Sequence, residues 1–287
     1  MITLLKLPQL RHELVQAERR RAPDQRGSEM TREHTDTLRK ASLWWASEDM
    51  TDLAISAAGG LPPWTPSIAA PAQTGFMWFS RPIGRTVERP GRGFDDQGNT
   101  VETILGSSDI YGVHWSLLDG VILSLTLYGS VQSAEQRART SPIWEQVYEI
   151  GVYSIWGDRE FFPGDMTVLD PSMREAIHVL GAAWLLMQQP TVAEHRQARG
   201  TSFGGQKKPK KIDLVQVIDL RRLARKSNEE PGHTSREYRT RWLVRGHWRQ
   251  QRVGPGRKYV KPVFVAPHIK GPDGAPLKTE RVHAWRR

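Results

Sequence analysis

The chain has no cysteine in its 287 residues, which excludes disulfides and thiolate metal sites and fits a reducing compartment. It has no apolar run long enough to span a bilayer: Ile177 to Met187 is too short and contains Gly181. The stretch after Met1 is apolar only from Ile2 to Leu5 before Lys6 and Arg11, so it does not read as a signal peptide. A cytoplasmic protein with no membrane partner is the expectation. The motifs GxxxxGKS/T, GxGxxG and HExxH are also missing. Their absence disfavours nucleotide hydrolysis, dinucleotide chemistry and zincin-type proteolysis. No cofactor and no metal site are expected.

Acidic residues are scarce in the last third. Residues 201–287 hold 22 Lys or Arg against 7 Asp or Glu, a net +15, whereas residues 1–200 hold 19 against 24, a net −5. Such asymmetry is the footprint of a terminal module that meets phosphates, DNA or RNA, while the rest does something else. The alternative is a solubilising basic tail. Eleven Trp and 38% hydrophobic residues describe a folded chain, and its length suits two domains.

The pattern predicts an α+β protein: a helical and β-rich N-terminal domain over 1–190, followed by a small basic antiparallel β-module. Within the first domain, 8–60 reads as helical. A helix runs from Pro8 to the Arg19-Arg20-Arg21 cluster, a second from about Thr31 to Ala46 with Trp44 and Trp45 as anchors, and a third from Ser47 as N-cap to Gly59-Gly60. Prolines 62, 63, 66 and 71 mark the crossing into a β-rich stretch over 74–156. That stretch includes a hairpin over 110–128 turning at Asp119-Gly120. A helix over 172–189 closes the domain. Residues 191–211, ending in Lys207-Lys208-Pro209-Lys210-Lys211, read as a basic linker, and 212–287 as the C-terminal module.

Residues 239–249 are the most specific feature. As a strand they place Arg239, Arg241, Arg245, His247 and Arg249 on one face, with Trp242, Val244 and Trp248 on the other. If Gly254 to Val260 turns the chain symmetrically, residues whose numbers sum to 515 lie opposite each other, so His247 faces His268 and Arg245 faces Lys270. Two histidines framed by arginines suit phosphate binding, or acid–base work on a phosphodiester. The candidate catalytic residues are therefore His247 and His268. The candidate nucleic-acid contacts are Arg239, Arg241, Arg245, Arg249 and Lys270, joined by Lys207 and Lys208 of the linker. The alternative for the stripe is the solvated face of an edge sheet, where charge prevents aggregation.

The run Val244-Arg245-Gly246-His247-Trp248-Arg249, the turn Gly254-Pro255-Gly256-Arg257 and the segment Val265 to Pro272 resemble a C-terminal block in proteins of actinobacterial plasmids, phages and integrated elements. The resemblance covers residues 240–275 and implies a mobile-element context rather than a mechanism. More distantly, Gly246-His247 and Pro267-His268 are similar in outline to HicA-type messenger-RNA interferase toxins. In those proteins a Gly-Ser-His strand is followed by a turn and a strand ending near Pro-His. This chain has no Ser between Gly246 and His247 and is far longer; that likeness implies a catalytic His247.

Elsewhere, Glu175 and His178 share one helical face and can supply two metal ligands, although a surface pair explains them as well. Asp109 and His114 fall near a predicted strand without forming a motif. The leading expectation is nucleic-acid binding. A metal-independent ribonuclease toxin using His247 and His268, and a protein-interaction module acting through the acidic first domain, are the competing ones.

Overall fold

The computed structural model describes residues 2–20, 29–87, 89–94, 100–105, 107–130, 143–144, 146–161, 171–201, 214–221 and 241–271. The fold is α+β and divides into two units, Met1–Leu220 and Arg221–Arg287.

The first unit is built on an eight-stranded mixed sheet. Its strands are β1 (Ser42–Ala46), β2 (Thr74–Phe79), β3 (Gly84–Arg85), β6 (Asp109–Leu118), β7 (Ile122–Ser130), β8 (Val147–Trp156), β9 (Ala193–Arg199) and β10 (Leu214–Leu220). The order is β8-β7-β6-β2-β1-β10-β9, with β3 also pairing β6. β1 lies parallel to both β2 and β10; the remaining pairs are antiparallel. Strands β4 (Arg89–Phe94) and β5 (Thr100–Leu105) form a ladder of their own.

Helices cover the sheet. Helices α1 (Leu7–Arg20) and α2 (Glu29–Lys40) bury Leu7, Leu10, Leu14 and Leu38 with Leu43, Phe76 and Val215 of the sheet. Arg11 is itself buried and donates to the Ala41 carbonyl at 2.8 Å, tying α1 to the end of α2. A second buried set includes Met50 and Ala54 of α3 (Glu48–Ala58), Ala69 of the short α4 (Pro66–Ala69), and Ile177, Leu180 and Trp184 of α5 (Pro171–Met187). Trp115 of β6 packs edge-on against Trp184, with ring centroids 5.0 Å apart.

Several expected elements form. They are the first helix, the helix after Ser47, the helix before Pro190 and the hairpin turning at Asp119-Gly120, where both residues have positive φ (50° and 71°) as such a tight turn requires. Two expectations are corrected. The helix expected over 31–46 stops at Lys40, and Ser42–Ala46 is a central parallel strand. A short apolar run such as Leu43-Trp44-Trp45-Ala46 has no periodicity that separates a buried strand from a helix. The linker expected over 191–211 contains β9, which pairs with β10 from Leu214 opposite Arg199 to Leu220 opposite Ala193. Its charge is that of an edge strand, with only Ala193 buried and the others exposed or half-buried. The first unit therefore runs to Leu220, and the strand expected to open the C-terminal module belongs to the large sheet instead. No helix among the described residues is long and apolar enough to cross a membrane.

The described part of the second unit is an interrupted antiparallel hairpin. Strand β11 (Trp242–Val244) pairs β14 (His268–Lys270), and β12 (His247–Val253) pairs β13 (Tyr259–Val265). Gly254 and Gly256 adopt φ of 79° and 63° in the turn, with a 3-10 turn at Pro255–Arg257. Phe264 is 4% exposed and meets Trp248 edge-on at 5.2 Å.

Candidate functional sites

The stripe is expected on one strand over 239–249, which in the structure is interrupted between Val244 and His247. Arg245, His247 and Arg249 are exposed, and Arg241 is half-buried. Arg239, Lys207 and Lys208 lie outside the described residues. The cross-strand register differs from the expected one. Partners in both ladders sum to 512, as in Trp242 opposite Lys270 and His247 opposite Val265. His268 is opposite Val244, and Lys270 is not opposite Arg245. The cause is the loop: it closes at Val253 and Tyr259, leaving five residues between the strands, so partners share parity. On alternation the odd-numbered face of the β12–β13 ladder carries His247, Arg249, Tyr259 and Lys261, and its even-numbered face carries Trp248, Arg252 and Phe264. Arg245 lies between the two ladders, and His268 belongs to the β11–β14 ladder.

The two histidines therefore do not form a cross-strand pair. Each instead binds its own backbone two residues back. The Nδ1 of His247 lies 3.1 Å from the Arg245 carbonyl, and that of His268 lies 3.0 Å from the Ala266 carbonyl. A carbonyl only accepts, so both rings carry the proton on Nδ1 in these bonds. What the hairpin offers is cations around an exposed aromatic tip, since Tyr259 is 66% exposed beside Arg257, Lys258 and Lys261.

A second site lies in the first unit, where sequence reasoning expected none. Strands β2, β6, β7 and β8 carry polar rows on the face covered by α1 and α2. Thr74, Ser116, Ser124 and Ser154 stand successively opposite one another; in the next row His114 is opposite Thr126, and Thr126 is opposite Val152. The β7–β8 register then shifts, so that Tyr128 is opposite Glu149 rather than Ile150. Alternation from Ser154 and Val152 alone would place Ile150 here. The bulge at Ile150 turns Glu149 toward the polar face.

Above these rows the helices contribute their own polar side chains, Glu18 from the last turn of α1 and Glu33, His34 and Thr37 from α2. Together they line a cavity of about 320 Å³ with Ser116, Ser124, Ser154 and Glu149. One donor atom from each of Glu18, His34 and Glu149 lies within 4.8 Å of the others. Glu18 is 4% exposed. His34 is fixed by Thr126, whose Oγ1 is 3.4 Å from Nδ1. His114 is 2% exposed, with Nε2 3.4 Å from Thr74 Oγ1. Burial holds His114 well below the ordinary imidazole pKa, and the neighbouring His34 pushes the same way; a hydrogen bond to the Thr37 backbone opposes both.

The sequence does carry a trace of this site. Gly112, His114 and Ser116 alternate with Val113, Trp115 and Leu117, and Ser124 and Thr126 alternate with Leu123, Leu125 and Leu127. That pattern ordinarily means a solvent-facing side. Here the polar side is buried: Thr126 is fully so, and His114 and Ser116 nearly so. The pair Glu175 and His178 is not part of the cluster; Glu175 is exposed, and His178 is half-buried with its ring edge-on to Phe161 at 6.4 Å. Burial lowers the His178 pKa, and Arg174 adds to the effect. No family model and no curated protein matches the chain.

Proposed function

We propose that this chain is a nucleic-acid-binding protein whose C-terminal hairpin grips phosphates. The observation that carries the reading is one face of the β12–β13 ladder, where His247, Arg249 and Lys261 are exposed together with Tyr259. Residues 221–287 hold 18 Lys or Arg against 5 Asp or Glu, a net +13, so the field around the hairpin attracts a polyanion. Arginine forks bond phosphate oxygens in pairs, and an exposed tyrosine offers a flat surface to an unpaired base. Neither feature reads base edges, so sequence preference is weak and single strands are the favoured ligand. The mobile-element context comes from the sequence resemblance of this same hairpin.

The ribonuclease reading required His247 and His268 to act together, and the register that would join them is absent. Binding without cleavage is therefore the preferred form of the proposal.

The test is binding of the full chain to labelled single- and double-stranded DNA and RNA across a salt series, with strand integrity followed in parallel. Affinity should fall steeply with salt, by about 0.7 to 0.9 log units per log unit of salt for each phosphate neutralised. Arg249→Ala with Lys261→Ala should flatten that slope by about the share of two phosphates, while Arg252→Ala, on the opposite face, should change it little. Salt-independent binding, or none, would move the assignment to a protein partner; cleavage lost in His247→Ala would restore the enzyme.

A further inference from the structure

We propose that Glu18, His34 and Glu149 form a three-ligand site for a first-row divalent cation of the Mn²⁺, Fe²⁺ or Zn²⁺ class, with open coordination positions facing the cavity. The inference concerns the first unit and is independent of the hairpin.

Distance, electrostatics and orientation all favour an ion at this point. Donors held about 2.1 Å from one ion lie roughly 3 to 4 Å from each other, so a cluster whose atoms fall within 4.8 Å closes on an ion by small side-chain rotations. Glu18 is buried in the last turn of α1, where the helix dipole already presents partial negative charge, and Glu149 is brought to the same point by a bulge. Two carboxylates gathered this way favour a cation between them over two separate ionised groups. With Nδ1 of His34 held at Thr126, the ring presents Nε2 as the ligand, an arrangement that outer hydrogen bonds commonly impose on metal-binding histidines.

The donor set narrows the ion. Imidazole nitrogen with two carboxylates and no sulfur suits Mn²⁺, Fe²⁺ or Zn²⁺ better than Ca²⁺, which takes oxygen ligands, or Cu⁺, which takes sulfur. Three protein ligands beside a cavity of about 320 Å³ are the pattern of a site that keeps room for water and a small polar ligand. The row Ser116, Ser124 and Ser154 lines that cavity and supplies hydroxyls to hold such a ligand. His114 lies outside the ligand triad, edge-on to His34.

The experiment uses the full chain, stripped with chelator and dialysed, then titrated with Zn²⁺ and with Mn²⁺ by calorimetry. Stoichiometry is read by elemental analysis and the thermal midpoint is recorded with and without ion. Glu149→Gln and His34→Gln are the ligand variants. Glu175→Gln is the control, because Glu175 is exposed and lies outside both the ligand triad and the cavity. One ion per chain, a raised thermal midpoint in wild type and control, and an affinity loss of about 100-fold or more in both folded ligand variants is the expected result. Glu149→Gln is nearly isosteric, so it keeps the test open should His34→Gln fail to fold. No stoichiometric uptake of either ion, or uptake equal in wild type and Glu149→Gln, would overturn the site.

Discussion

His34 and His114 meet edge to face beneath α2, ring centroids 5.0 Å apart at an interplanar angle of 76°. Two imidazoles this close do not both carry charge cheaply, and His114 is the one sealed from water. Its folded-state pKa is pushed down, so the native protein keeps it neutral where the unfolded chain, with an ordinary value of about 6.5, takes up a proton. The unfolded state then binds more protons on acidification. Stability from this group is complete above about pH 6.5 and is lost as pH falls below it, at about 1.4 kcal/mol per pH unit until the folded-state value is reached. Urea unfolding between pH 7.5 and 5 should show this slope, and His114→Asn should remove one proton's worth of it. Equal slopes in the two proteins would show that His114 protonates freely in the fold. His178, also shifted down, contributes to both proteins alike and cancels in the comparison.

Two glycines should respond to alanine with opposite signs. Gly181 lies in the interior of α5, where alanine is ordinarily better by about 1 kcal/mol. A Cβ there would sit 2.5 Å from two ring atoms of Trp64, a side chain 3% exposed and edge-on to both Phe161 and Trp184. Overpacking of this kind costs about 1 to 3 kcal/mol, so Gly181→Ala should destabilise despite the helix preference. Gly59, at the end of α3, has ordinary helical dihedrals and nothing within 4 Å of a built Cβ. Gly59→Ala should raise stability by about 0.4 to 1 kcal/mol through the unfolded state. Denaturant midpoints of the two variants decide it; a stabilising Gly181→Ala would mean that Trp64 yields.

The reach of the sequence was set by how local each determinant is. The β6–β7 hairpin follows from Asp119-Gly120 and two alternating runs, and it is found where expected. The expected arginine stripe takes 239–249 as one strand, whereas β11 ends at Val244 and β12 begins at His247. The partner of that strand depends on how many residues the turn consumes: a loop closing at Val253 and Tyr259 separates His247 from His268. The cluster at Glu18, His34 and Glu149 depends on three distant segments and on a bulge at Ile150 that no residue type announces. What was visible, the polar alternation of β6 and β7, pointed by default to water. Only the placement of α1 and α2 over it makes a cavity.

Thr126 provides a check on that cluster that leaves the ligands in place. Its hydroxyl is fully buried against His34 Nδ1, and valine has nearly the same shape. Thr126→Val should leave the ion stoichiometry at one per chain while weakening affinity about 10-fold or more, since the ring loses the contact that orients it. The cost in stability should stay near 1 kcal/mol. Calorimetric titration beside urea unfolding separates the two; unchanged affinity would mean that His34 is held in place without Thr126.

Tyr259 distinguishes stacking from charge at the tip of the hairpin. It stands beside Lys258 and opposite Val253, on the face shared by Arg249 and Lys261, and its ring is largely in solvent. If it stacks on a base, Tyr259→Ala should weaken single-stranded binding by about 1 to 3 kcal/mol and leave the salt slope unchanged, because no phosphate contact is lost. Val260, 58% exposed on the other face, is the matched control, and its replacement by alanine should alter neither quantity. Double-stranded ligands, whose bases are already stacked, should be less sensitive to Tyr259→Ala than single strands. Equal losses on single and double strands would assign Tyr259 to shaping the hairpin rather than to meeting a base.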